Sequence, residues 1–261
     1  MKVGYIQTNP IFGEKEKNFK EVEKLSGNLK ADIIVLPELF ATGYTFKSKE
    51  EVYTLAESIS DITSQFLIDL AQDKGNIVIG GFAEKEGKKL FNSALIVSEN
   101  GVVGTYRKLH LYYKEKLWFN PGDKPLKVYN INDVYIGIMI CFDWIFPETA
   151  RTLALLGAEI IAHPANLVLP YCQKAMITRC LENRVYAITA NRIGQESRGK
   201  DNFQFTGASQ ITSFDGSILS SAPLDQTFVG TAEIDISLAR DKKLNEYNDL
   251  LGDRRNKFYS N

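Results

Sequence analysis

Cysteine, histidine and charge bias are what this 261-residue chain has least of. It contains three cysteines (Cys141, Cys172, Cys180) and two histidines (His110, His163), with no CxxC spacing. An odd, dispersed set of thiols excludes a disulfide scaffold, and two distant histidines leave no zinc ligand set. A reduced, cytoplasmic setting is expected. Charge of one sign is equally absent, since 31 Lys and Arg face 32 Asp and Glu. Without a basic excess, neither nucleic-acid phosphates nor anionic lipid headgroups are expected partners. No apolar run exceeds a strand: the longest lies around Tyr135 to Phe142, far short of the roughly 18 residues of a spanning helix. The N-terminus, Met1-Lys2-Val3-Gly4-Tyr5-Ile6-Gln7, turns polar before a secretory core could form. Also missing are G-x-x-x-x-G-K-[ST], G-x-G-x-x-G after a strand, and H-E-x-x-H. Simple ATP, dinucleotide and zincin readings are thereby removed, and no cofactor or metal is expected. A small molecule is the expected partner.

Hydrophobic residues make up 44% of the chain and recur with two periods. Short β-branched runs at 2–7, 31–36, 76–81, 93–98, 102–106, 134–140, 158–162 and 186–191 read as strands, with three more near 209, 218 and 229. Between them, 14–30, 61–74, 147–156 and 171–184 read as helices. Phe19, Val22, Leu25 and Leu29 form one stripe, Asp61 is a candidate N-cap, and Pro147 sits in a first turn. The alternation implies an α/β layered fold. No linker or repeat interrupts it, so a single domain spanning 1–261 is expected, with the polar stretch 240–261 as a C-terminal arm.

Three reactive residues each follow an apolar run: Glu38 after Ile33 to Pro37, Lys108 after Val102 to Arg107, and Cys141 after Tyr135 to Ile140. Loops at strand C-termini are where α/β sheets place ligands. Singly, each has an ordinary explanation as a solvated charge or a small buried hydrophobe. Together they place an acid, a base and a thiol at one rim. In this order Leu36-Pro37-Glu38-Leu39-Phe40, Tyr106-Arg107-Lys108-Leu109-His110-Leu111 and Ile140-Cys141-Phe142-Asp143-Trp144 resemble the Glu-Lys-Cys signatures of the nitrilase superfamily of carbon-nitrogen hydrolases. The resemblance runs from Val3 to Arg255. A further segment, Glu115 to Asp123, is similar to the one carrying that family's second glutamate, here Glu115.

The resemblance implies a four-layer α-β-β-α sandwich with mixed sheets, counted per dimer, and a homodimer or larger assembly. It also implies roles. Cys141 is the nucleophile, which needs a base to become thiolate. Glu38 is that base, Lys108 and the backbone N–H of Phe142 face the oxyanion, and Glu115 positions Lys108 or the substrate nitrogen. The product of acylation is a thioester. His110 is assigned to structural hydrogen bonding, and a histidine base is the weaker alternative. Cys172 and Cys180, eight apart on one helix, are expected in the core. Tyr44, Trp118, Phe142, Trp144 and Tyr171 are candidates for an apolar pocket wall or for ordinary core, and Asn166 for a polar substrate contact. Leu181 to Arg184 carries charges suited to a helix or subunit face.

Of the reactions open to such a site, hydrolysis of a small aliphatic carboxamide is favoured over that of a nitrile. In the resemblance, Asp143 two residues after the cysteine matches amidase branches, where true nitrilases often carry Glu. A binding protein without turnover stays as a third reading, disfavoured because a buried charged cluster is costly to maintain.

Overall fold

A computed structural model describes residues 1–259; the last two residues of the expected arm, Ser260 and Asn261, lie outside the described residues. The first half runs β1 (Lys2–Gln7), α1 (Lys15–Ser26), β2 (Ile33–Val35), α2 (Lys49–Leu55), α3 (Ile62–Lys74), β3 (Ile77–Glu86), β4 (Lys89–Ser98), β5 (Gly101–Arg107) and α4 (Glu115–Trp118). Then come β6 (Val128–Ile131), β7 (Val134–Ile138), α5 (Pro147–Leu155), β8 (Ile160–Pro164), α6 (Cys172–Leu181) and β9 (Tyr186–Ala190). The chain closes with β10 (Gln195–Arg198), β11 (Asp201–Gln204), β12 (Gln210–Thr212), β13 (Ile218–Ser221), β14 (Phe228–Glu233) and α7 (Ser237–Arg240).

Two six-stranded sheets result, ordered β14-β1-β2-β3-β4-β5 and β13-β12-β9-β8-β7-β6. Each has three parallel central strands, β1-β2-β3 and β7-β8-β9, flanked by antiparallel ones. Alternation along the strands explains the stacking. Val3, Tyr5, Ile33, Val35, Ile77 and Ile79 share a core with Ile136, Ile138 and Ile160 of the other sheet. The intervening Ile6, Ile34 and Val78 pack on Val22, Leu67, Leu70 and Ala71 of α1 and α3. Helices α5 and α6 cover the second sheet through Leu153, Met176 and Cys180. The expected four-layer α-β-β-α sandwich is therefore present, but one chain supplies all four layers; counting them per dimer was wrong.

Some boundaries differ from the sequence reading for identifiable reasons. β3 and β4 extend into a hairpin of two ten-residue strands turning at Gly87, because the polar residues that seemed to end each strand pair across it, from Phe82 with Ser93 to Glu86 with Lys89. α6 stops at Leu181, and Arg184 adopts φ +45°. Asp61 occupies the cap position of α3, yet its carboxylate accepts from the Ser58 N–H, so it closes the preceding turn instead. α2, α4, β6 and the β10–β11 hairpin were not anticipated. In the arm, Lys242 Nζ donates to the carbonyls of Asn183 and Arg184, and Arg184 donates to Asp241 O, so the segment is tied to the end of α6. No helix among the described residues is long and apolar enough to cross a membrane.

Candidate active site

Glu38 and Cys141 follow the parallel strands β2 and β7, and Lys108 follows the antiparallel edge strand β5. Glu38 follows the Leu36-Pro37 step off β2, where Gly81 of β3 donates to Pro37 O at 3.1 Å. A Cβ on Gly81 would stand 2.5 Å from Glu38 Cα, so only glycine lets the two backbones meet. Lys108 leaves β5 with its N–H on Asn92 O and its carbonyl accepting from Gly122 N, both at 2.8 Å. Cys141 opens a 3₁₀ turn, Cys141–Ile145, with φ +42°, a strained conformation for a residue with a Cβ. Two contacts hold that turn. The Asp143 carboxylate accepts from the Ile140 N–H at 2.9 Å, and His163 Nε2 lies 3.0 Å from Cys141 O.

Side chains from four segments then meet. Lys108 Nζ donates to Glu38 Oε1 at 2.7 Å and to the Glu115 carboxylate at 2.8 Å. Asn92 Nδ2 also donates to Glu38 Oε1 at 2.7 Å, the Tyr44 hydroxyl to Glu115 Oε1 at 2.7 Å, and Tyr112 N to Glu115 Oε2 at 3.1 Å. Glu38, Lys108 and Glu115 are all buried. Glu38 Oε2 has no hydrogen-bond partner among the described residues, so this carboxylate keeps one free acceptor.

The electrostatics follow from that burial. Desolvation, reinforced by the neighbouring Glu38, drives the Cys141 thiol well above its usual value, against a smaller pull from Lys108. It rests as a neutral thiol and needs a base at contact range. Burial raises the Glu38 carboxyl as well, opposed by Lys108 and supported by Glu115. Burial alone would weaken Lys108 as a cation, but Glu115 and Glu38 outweigh it and hold the ammonium protonated. The Tyr44 phenol is pushed well up by burial and by Glu115, so it remains a donor.

The two histidines serve the scaffold. His110 Nδ1 lies 2.7 Å from Asp143 Oδ1, and its ring stacks on Phe146 at 3.7 Å. His163 is lowered to about 4 by burial and is neutral; Nε2–H donates to Cys141 O and Nδ1 faces the Thr189 hydroxyl at 3.1 Å. Asp143 receives the Tyr106 hydroxyl, the Ile140 and His110 N–H groups and the His110 ring. These four hydrogen bonds fix the elbow at Cys141.

Two depressions flank the cluster. One, beside Cys141, is apolar and lined by Tyr112, Phe142, Trp144, Asn166, Leu167 and Val168. The other lies over Glu115, among Tyr44, Tyr113, Lys114, Trp118, Asp201 and Phe203. Phe142, Trp144 and Asn166 thus border the first, and Tyr44 and Trp118 the second. Tyr171 is 62% exposed at the start of α6 and lines neither. Asn166 does more than border the pocket: its Nδ2 donates to Glu38 O at 2.9 Å, its N–H faces the Cys141 sulfur, and its Oδ1 is buried without a hydrogen-bond partner among the described residues. Sequence reasoning missed Asn92, Tyr112 and the Tyr44–Glu115 bond. Asn92 alone had a usable signal, being an amide between the apolar Phe91 and a strand. Cys172 and Cys180 are buried with Met176 on the inner face of α6. No group of His, Cys, Asp or Glu among the described residues could hold a metal ion.

Known proteins share this architecture. A carbon-nitrogen hydrolase crystal structure from Helicobacter pylori G27 superposes with a TM-score of 0.90 at 26% identity, covering 99% of this chain and 97% of that one. A Pyrococcus abyssi protein named nitrilase is 48% identical over 99% of both chains. An (R)-stereoselective amidase from a Pseudomonas species is 32% identical over 86% of this chain and 80% of its own. The family model for carbon-nitrogen hydrolases matches residues 2–243. With that match spanning both sheets and the whole Glu38, Lys108, Glu115 and Cys141 cluster, the chain belongs to the carbon-nitrogen hydrolase family, the nitrilase superfamily.

Proposed function

We propose that this hydrolase cleaves a small aliphatic carboxamide to a carboxylic acid and ammonia through a thioester on Cys141. The observation that carries the reading is the unfilled Glu38 Oε2 in a buried cluster whose other Glu38 oxygen is held by Lys108 and Asn92. That oxygen takes the thiol proton as sulfur bonds to the carbonyl carbon. Negative charge moving onto the carbonyl oxygen faces the Lys108 ammonium and the Phe142 N–H, contacts that strengthen in the transition state. Glu38 returns the proton to nitrogen, the C–N bond breaks and ammonia leaves. Water deprotonated by Glu38 then attacks the thioester, the C–S bond breaks, and the acid departs from a restored thiol. Glu115, fixed by Tyr44 and Tyr112, keeps Lys108 in place. An amide suits the site because its NH2 offers two donors to buried acceptors left open, Glu38 Oε2 and Asn166 Oδ1. The apolar walls from Tyr112, Phe142 and Trp144 fit an uncharged aliphatic chain.

One observation favours a second reading, hydrolysis of a small aliphatic nitrile: the relative named nitrilase is 48% identical, against 32% for the one named amidase. The thiolate would add to C≡N, and water would convert the thioimidate to the same thioester with loss of ammonia. Ammonia release from matched amide and nitrile pairs separates the two, and faster nitrile turnover overturns the amide assignment. Cys141→Ser should nearly abolish turnover while keeping the fold, and activity within a few-fold of wild type would overturn the mechanism. Glu115→Gln should show little acyl adduct by mass spectrometry in a single turnover.

The proposal includes a homodimer in a reducing cytoplasm, which suits three free cysteines. Leu155, Leu156 and Leu181 at the ends of α5 and α6, and Tyr247 and Phe258 in the arm, are 44 to 83% exposed. A self-complementary two-fold contact would bury them. Light scattering should give twice the chain mass at micromolar concentration; a monomer contradicts it.

A further inference from the structure

We propose that Glu196, neutralised by Arg192, is a positioning residue that sets the Tyr44 hydroxyl on Glu115 by gripping the backbone of the Tyr44 loop. This rests on the catalytic reading of Glu115 and Cys141; Glu196 and Arg192 themselves line neither depression. Glu196 lies on β10, in the hairpin that the sequence reading passed over. Its carboxylate accepts the N–H of Tyr44 at 3.1 Å and of Thr45 at 2.7 Å, two consecutive donors of one loop. Arg192 Nη1 pairs with it, while Nη2 and Nε donate to the carbonyls of Pro10 and Ile193, each at 3.1 Å. The guanidinium lies 4.0 Å over the Phe205 ring, whose centroid is 6.0 Å from that of Tyr44.

Both members are nearly inaccessible, Arg192 at 1% and Glu196 at 6%. Burying such a pair is expensive and adds little to stability over an apolar replacement. What it supplies is a fixed geometry. The loop makes room for it: Gly43 has φ +78°, and a Cβ there would stand 2.8 Å from Glu196 Oε1 and 3.0 Å from Phe12 Cα. Tyr44 is therefore held at both ends, backbone on Glu196 and hydroxyl on Glu115, and Glu115 in turn holds Lys108.

A double-mutant cycle on steady-state kinetics tests this, using the amide or nitrile that wild type turns over fastest. Tyr44→Phe should lower kcat roughly ten- to a hundredfold, the range of one hydrogen bond to a charged group, with KM nearly unchanged. Glu196→Gln, which keeps one acceptor and avoids the misfolding risk of Glu196→Ala, should lower kcat in the same direction. If Glu196 acts through Tyr44, adding Glu196→Gln to Tyr44→Phe costs less than about threefold more, as for coupled sites. Losses that multiply, or a Glu196→Gln that lowers the melting temperature with kcat intact, overturn the proposal. Cys141→Ser and Glu115→Gln run as controls. If both are inactive while losses multiply, only the positioning role falls; if Cys141→Ser retains turnover, the hydrolase mechanism falls first and the positioning role with it.

Discussion

Arg107 and Lys108 are consecutive, both buried, and both clamped by carboxylates, yet their surroundings differ in one decisive way. They point to opposite sides because successive strand residues do. Arg107 donates from Nε to both oxygens of Glu84 at 3.1 Å, reaches Asp123 at 2.9 Å and Glu86 at 3.1 Å, and stacks on Phe91 at 3.9 Å. Glu84 is filled on both oxygens, since Ser93 also donates to it, and Glu86 and Asp123 open to solvent. Lys108 sits between two carboxylates with no such outlet, and Glu38 keeps a bare oxygen. A saturated ion cluster has no proton to move. An unsaturated one, closed off from water, shifts its proton affinities until an incoming group completes it.

Removing each cation in turn sharpens the contrast. In the proposed mechanism the cation faces charge that develops only in the transition state, so Lys108→Ala should cost roughly 10²–10³-fold in kcat with a much smaller effect on KM. Arg107→Ala should instead destabilise by about 3–5 kcal/mol, leaving Glu84 buried and unpaired, while the folded enzyme keeps kcat within several-fold. Denaturant midpoints and steady-state kinetics on both variants decide it. The reverse assignment of effects would break the comparison.

The same pair shows what was legible in the sequence. Lys108 stood out because a motif surrounds it and two other motifs supply its partners; Arg107, in the same motif, carried no visible partner. Glu84 and Asp123 lie 23 and 16 residues away, and nothing in local periodicity pairs them with it. The strands of both parallel cores were readable because runs such as Ile33 to Leu36 are buried on both faces. The β4–β5 hairpin was readable too, but the far half of the β3–β4 hairpin was not: β4 begins with Lys89 and includes Asn92, a polar residue that is buried where it donates to Glu38. Tyr44 was read as a wall because an aromatic beside a motif has no visible hydroxyl partner, and Glu115 reaches it only through the fold.

His163 extends the comparison to the backbone behind Cys141. Its folded pKa of about 4 lies below the ordinary 6.5, because burial disfavours the charged ring. A depressed folded value means that the neutral ring contributes stability above pH 6.5, and that this contribution is lost as pH falls from 6.5 toward 4. The full span amounts to about 3 kcal/mol. Glu38, whose carboxyl is raised, acts in the opposite sense, gaining stability as it protonates. The two are separable: between pH 7.5 and pH 4.5 the urea midpoint should fall by more for wild type than for His163→Gln. Equal falls would place acid sensitivity elsewhere.

The smallest effect belongs to a thiol that shares burial with Cys141 but not its neighbours. Cys180 is buried on α6, and desolvation alone drives its thiol upward, with no lysine or carboxylate among the described residues contributing to the shift. Its Sγ lies 3.9 Å from Thr212 O, so a serine in its place has an acceptor to find. Cys180→Ser should cost about 1–3 kcal/mol, from burying a hydroxyl with an imperfect bond, and leave kcat unchanged. If burial by itself made a cysteine reactive, an electrophile such as iodoacetamide would modify Cys180 as fast as Cys141. The environments predict otherwise: labelling under native conditions, followed by peptide mass spectrometry, should find the adduct on Cys141 first, and Lys108→Ala should slow that labelling without touching Cys180. Equal labelling of both thiols would mean that Glu38 and Lys108 do nothing to activate Cys141.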